Sequence, residues 1–244
     1  MIAAPSGELA WVRGTGRAYA ARWLDAATDS SRDDTIVGMR ITTLPARIGT
    51  IAVPQDDVSA TTWRWANANL PRYLLDHSIR SYCWGAAIGD REGWSFDRRI
   101  LWTAALFHDL GLARLTQNTM CFEVESAEIA RRFLERHGMS ALDADRAAIA
   151  IILHMQPNVT LDDGVESVLL DRATGVDVRG ADIAVIDRVR HDVVAAYPRR
   201  GFDRLFLRAM TREARSRRTC QSASFVRRAK VTDWPARTPW AGTD

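Results

Sequence analysis

Residues 101–112, LWTAALFHDLGL, restrict the fold more than any other stretch of this chain. Ten of the twelve are apolar or small, the mark of a buried helix, yet His108 and Asp109 sit side by side within them. Two ionisable groups in an apolar setting are costly unless something compensates them. A neutral imidazole and a carboxylate are donor types that zinc and ferrous iron accept, and a divalent cation would offset the burial of Asp109. Gly111, three residues after His108, reads as a helix terminator. That places the pair in the last turn, where neighbours can converge on one ion.

The same chemistry recurs upstream. In PRYLLDHSIRSYCWGAAIG, residues 71–89, Pro71 suits a first helical turn. His77, Ser81, Trp84 and Ile88 recur at i, i+4, i+7 and i+11 and share one face. Trp84 and Ile88 call for burial, so His77 points inward with them. Three donors leave much of a cation's charge uncompensated, so a further carboxylate is expected downstream. Residues 169–187 offer Asp171, Asp177, Asp182 and Asp187. Asp177 follows Leu170 and Ala173 on an apolar stripe and is favoured. Asp182 could serve as an N-cap, and Asp187 precedes a charged, exposed stretch.

The surrounding chain is helical in pattern. From Asp56 onward the periodicity predicts helices over about 57–68, 71–89, 97–110, 123–137, 142–155, 165–174, 183–196 and 202–217. Residues 1–50 read as a less regular N-terminal arm, 51–220 as an all-α domain and 221–244 as a C-terminal tail. Apolar residues make up 47% of the chain, enough for a substantial core. A net charge of +3, carried almost wholly by arginine (Lys230 is the sole lysine), shows no concentrated nucleic-acid surface. The basic run TREARSRR, 211–218, reads as a solvated helix face. No apolar run of about twenty residues predicts a membrane span, and the N-terminus lacks a secretory pattern. Cys83, Cys121 and Cys220 are odd in number and form no CxxC pair, so neither a disulfide framework nor a zinc knuckle is expected and a reducing cytoplasm fits. Self-association is left open.

His77, then His108-Asp109, then a distant aspartate resembles the metal-binding pattern of the HD-domain superfamily of metal-dependent hydrolases. The chain is most similar to its cyanamide hydratase-like branch. The similarity lies in GTIAVP, LLDHSIRSYCWGA, LWTAALFHDLGL, CFEVESAEIARRFLERHG, AIAIILHM, TGVDVRG and AAYPRRGF, in that order over about residues 49–203. The resemblance implies an HD-domain helical bundle around one divalent transition-metal ion, zinc or iron with manganese as a further option. It implies His77, His108, Asp109 and Asp177 as ligands, and selects Asp177 over Asp182. The first 40 residues lie outside the resemblance. MQPNV after His154 replaces a Pro-Gly turn, which points to a changed substrate loop.

The ion would activate water for attack on a small-molecule substrate. His154, Glu123 or Asp109 would handle the proton. Trp84, Phe107 and Phe122 would wall the pocket, with Arg80 the nearest cation. Few cations surround the expected ligands, so hydration of a small nitrile such as cyanamide is expected ahead of phosphate-ester hydrolysis or a non-catalytic metal-stapled scaffold. A dinuclear centre would need two further inward histidines. Only His137, at a helix end, and His154 are available for that, while His191 lies in a solvated stretch.

Overall fold

Asp56 starts the helical part of the chain. Its carboxylate accepts the Ser59 backbone N–H at 3.1 Å and the Ser59 hydroxyl at 2.6 Å, an N-cap that satisfies otherwise orphaned donors. The computed structural model describes residues 43–113, 120–228 and 239–240. The expected arm lies largely outside these residues. Its described end forms a small antiparallel hairpin, β1 (Arg47–Ile48) with β2 (Ile51–Ala52), pairing Ile48 with Ile51. The Tyr82 hydroxyl donates to the Ala52 carbonyl at 2.6 Å and ties the hairpin to the helices.

The helices are α1 (Asp57–Asn69), α2 (Arg72–Glu92), α3 (Arg98–Phe107), α4 (Leu110–Ala113), α5 (Phe122–Arg136), α6 (Ala141–Leu153), α7 (Val165–Arg179), α8 (Asp187–Ala196), α9 (Phe202–Ser216) and α10 (Gln221–Arg228). Short 3-10 turns cover Leu161–Asp163 and Ile183–Ile186. The all-α class expected from the periodicity is what the chain adopts. Local chemistry sets the ends. Asp97 accepts from the Arg99 and Ile100 N–H groups to open α3, Ser140 accepts from Asp143 N–H to open α6, and Gly93 and Gly180 close α2 and α7 in the left-handed region.

Helix α2 is the centre of the bundle. It packs on α3 and α7, while α5 pairs with α6 and α9 with α10. Gly85 permits the central approach: a Cβ there would lie 3.2 Å from Leu101 Cδ2 and 3.3 Å from the Leu169 carbonyl. The face read from the sequence is buried as expected, with His77, Ser81, Trp84 and Ile88 all inside.

Two local expectations change. The helix expected over 97–110 ends at Phe107, and His108 and Asp109 occupy a turn before α4. Gly111 lies inside α4 and is no terminator. It is needed because a Cβ there would come within 2.5 Å of the Phe122 carbonyl oxygen and 2.9 Å of its Cα. The Gly111 N–H donates to Ser126 Oγ at 2.8 Å, so the turn after His108-Asp109 is locked onto the start of α5. Residues 221–228, expected as tail, form α10 and bury Phe225 in a cluster with Leu74, Phe122, Phe202 and Phe206.

Candidate metal centre

His77 from α2 and His108-Asp109 from the α3–α4 turn meet in the bundle interior, all three buried. Each offers a donor atom, and these lie within 4.8 Å of one another. His77 Nε2 and His108 Nε2 are 3.2 Å apart. Asp109 Oδ2 lies 3.5 Å from the first and 3.3 Å from the second.

The outer nitrogens decide what this cluster can hold. His77 Nδ1 faces Asp177 Oδ2 at 2.7 Å, and His108 Nδ1 faces the Ala105 carbonyl at 2.8 Å. Both partners are acceptors, so each neutral ring carries its proton on Nδ1 and turns the Nε2 lone pair inward. Asp109 Oδ2 is buried with no hydrogen-bond partner. With both rings neutral, two lone pairs and a carboxylate oxygen converge with no donor between them. Such a set is unfavourable by itself and fits a divalent cation. Burial alone would raise the Asp109 carboxyl, but positive charge on His108, His77 and His154, the kind of charge a bound cation would supply in its place, outweighs it and holds the pKa at about 2. Asp109 is therefore anionic at neutral pH, as a ligand must be.

Asp177 stands elsewhere. It is fully buried, as its stripe implied, but its socket is the face of α2. Arg80 grips it with Nε at 2.8 Å from Oδ1 and Nη2 at 2.7 Å from Oδ2. Trp84 Nε1 donates to Oδ1 at 2.8 Å, and His77 takes Oδ2. His77, Arg80 and Trp84 are spaced i, i+3, i+7, so one stripe of α2 supplies most of the socket, and the buried Arg199 adds a further cation 3.6 Å from Oδ1. Burial pushes the Asp177 carboxyl upward, yet Arg80 and His77 hold it well below the ordinary carboxylate range. The structure brings together three of the four expected ligands and sets Asp177 behind His77, on the Nδ1 side.

A cavity of about 410 Å³ opens on His77, His108 and Asp109. His154 lines it as well, with Nε2 3.8 Å from Asp109 Oδ1. Its Nδ1 lies 2.6 Å from the Ile151 carbonyl, which again leaves the Nε2 lone pair facing inward. Burial, reinforced by His108, lowers its pKa to about 4.

The expected wall residues are placed differently. Arg80 is fully buried and spends its guanidinium on Asp177 and the carbonyls of Tyr197 and Pro198. Trp84 is turned to Asp177 and stacks on Trp240 at 6.2 Å. Phe107 packs against Trp65 and Phe133, away from the cavity lining. Phe122 stands behind the cavity with its ring 5.8 Å from that of His154. Glu123 is buried in the first turn of α5 and is not among the lining residues. Burial, with the charges of Glu213 and Asp109 adding to it, raises its pKa to about 7.

What lines the cavity instead includes Asp171, Thr174, Val178 and Arg179 from α7, and Phe225 and Arg228 from α10. Asp171, Thr174 and Val178 form the stripe next to that of Leu170, Ala173 and Asp177. Of the four candidate carboxylates on 169–187, Asp171 is the one that faces the cavity. Asp182 has left-handed backbone, makes no side-chain cap and pairs with Arg172 at 3.6 Å. The expectation of a cation-poor pocket fails, because Arg179 and Arg228 come from segments distant in sequence from the histidines.

Residues 74–192 match the family model of the HD domain. Over that span the chain is similar to HD domains. The matched span runs from α2 into α8 and contains His77, His108, Asp109, His154 and Asp177. HD domains are typically metal-dependent hydrolases that bind divalent ions, which agrees with the donor set at this centre. None of the curated proteins compared with the chain matches it. Helices α9 and α10, which add Phe206, Phe225 and Arg228 to the cavity, lie outside the matched span. Among the described residues, no helix is long and apolar enough to cross a membrane.

The cysteine expectation is corrected. Cys121 and Cys220 form a disulfide across 99 residues, and Cys83 is free and buried. The odd count concealed the pair because the third thiol is a core residue, and a separation this long leaves no spacing motif.

Proposed function

We propose that this domain hydrolyses a small phosphate ester with water activated at the centre formed by His77, His108 and Asp109. A divalent ion held there supplies Lewis acidity and lowers the pKa of a coordinated water molecule toward roughly 7. The observation that carries the substrate class is the presence of Arg179 and Arg228 on the same cavity as the three donors. Planar guanidinium groups suit phosphate oxygens. Asp177 adds no net repulsion, since Arg80 pairs with it directly. The charges facing the substrate are then the cation, Asp109, Asp171 and two arginines, a balance that favours an anion.

The chain's own residues divide the remaining work. Asp177 fixes the His77 ring from behind. His154 presents Nε2 to the cavity and accepts a hydrogen bond from the attacking water, which sets its direction. Met155, Val178, Phe206 and Phe225 restrict bulk water on the apolar side.

Hydration of a small nitrile such as cyanamide is the second reading. The ordered stretches shared with the cyanamide hydratase-like branch favour it. A cavity of about 410 Å³ is roomy for so small a molecule. The two readings separate in one assay of metal-loaded protein against p-nitrophenyl phosphate, a nucleotide panel and cyanamide. Metal-dependent phosphate release, weakened in Arg179→Ala and Arg228→Ala, is the expected result. Cyanamide turnover without phosphate release would establish the second reading. Bound metal with neither activity would point to a non-catalytic scaffold.

A further inference from the structure

We infer that the Cys121–Cys220 disulfide is a reversible redox modification site whose reduction loosens the α10 wall of the cavity. The inference stands on placement. Cys121 occupies the N-cap position of α5, and Cys220 lies directly before α10. Helix α10 carries Phe225 and Arg228 into the cavity wall. The bond therefore staples one end of that wall to the bundle.

Three features suit reversibility. First, Cys121 is only half-buried, which makes it the more accessible partner of the bond, since Cys220 is buried. Second, a helix N-terminus favours a thiolate, against the opposing charge of nearby Glu125. Third, polar contacts hold the two cysteines near each other without the bond. The Phe122 N–H donates to the Glu213 carboxylate, Arg217 donates to Glu213 at 2.5 Å, and the Cys220 N–H donates to the Arg217 carbonyl at 3.2 Å. Once reduced, the thiols stay placed to form the bond again. Cys83 does not compete, because it is fully buried in α2 and burial pushes its thiol pKa upward.

Without the staple, α10 is held by its packing on α9, by Phe225 in the apolar cluster and by Gln221, which bonds Gln156 at 3.0 Å. Phe225 lies 6.3 Å from Phe206, whose ring is 5.7 Å from that of His77. Loosening α10 thus changes the cavity wall while the three donor residues, set by α2 and the α3–α4 turn, stay in place. The reductant is a dithiol protein of the thioredoxin class. Its thiolate attacks one sulfur to give a mixed disulfide, and its second thiol displaces the other. The S–S bond is replaced by two S–H bonds, and the dithiol gives up two electrons and two protons to become a disulfide.

The test is hydrogen exchange on metal-loaded protein, before and after treatment with thioredoxin, its reductase and NADPH, beside Cys220→Ser. The expected result is two new accessible thiols and amide exchange in residues 221–228 faster by about ten-fold or more. Exchange in α7 and metal content should be unchanged, and the effect should reverse on reoxidation. Cys220→Ser should match the reduced protein. Resistance to thioredoxin, unchanged exchange in 221–228, or unfolding of the whole chain on reduction would each overturn the inference. None of these readouts needs turnover, so the result is independent of the substrate reading.

Discussion

Asp177 Oδ2 lies 2.7 Å from His77 Nδ1, on the side of the imidazole opposite the Nε2 that meets His108 and Asp109. A carboxylate in that position fixes the ring and its tautomer and raises the basicity of the inward nitrogen. The same carboxylate neutralises Arg80, a fully buried guanidinium. Asp177 therefore joins the stability of the α2–α7 interface to the quality of the centre.

Asp177→Asn separates these roles from direct ligation. Arg80 loses its anion within the bundle, which should cost about 3–5 kcal/mol of unfolding free energy. Metal affinity should fall about 10- to 100-fold without disappearing, since three donors remain. Denaturant unfolding and metal titration measure the two effects. Undiminished stability with total loss of metal would instead make Asp177 a direct ligand.

Gly111→Ala should destabilise the protein by about 1–3 kcal/mol, as overpacking does. The added methyl meets the backbone of Phe122, not a flexible side chain. Because Gly111 follows Asp109 by two residues, the strain should also lower metal affinity. A melting temperature equal to that of the parent protein would contradict the close approach.

Arg179→Ala and Arg228→Ala test the anion reading residue by residue. Both side chains are exposed at the cavity rim, where salt screens charge. Each substitution should raise KM for a phosphate ester about three- to ten-fold, with a smaller change in kcat, an effect that fades at high ionic strength. Equal KM values in all three proteins would remove the arginines from substrate binding.

Much of this centre is legible in the sequence. An apolar helix interrupted by His108-Asp109, preceded by an inward His77, is enough to locate the three donors, because helical spacing fixes which side chains share a face. Asp177 shows where spacing alone stops. Its stripe correctly implies burial, but adjacent stripes on α7 differ by one residue, and only the packing of α2 against α7 decides which faces the cavity. Asp171 differs from Asp177 in sequence by nothing that reveals this. Arg80 and Trp84 carry the right spacing to reach the centre, yet the buried carboxylate takes them first. Arg179 and Arg228 resemble every other surface arginine of an arginine-rich chain. Helix α10 is too short and basic for its periodicity to stand out, and the Cys121–Cys220 pairing appears only once the starts of α5 and α10 are brought together.

Elemental analysis of the purified protein beside Asp109→Asn tests the central claim most directly. The neutral amide keeps the shape of the side chain and removes the single anionic donor of the cluster. One divalent ion per chain in the parent protein, and none in Asp109→Asn at equal helical content by circular dichroism, is the predicted result. Full metal occupancy in Asp109→Asn would show that His77, His108 and Asp109 are not the metal centre.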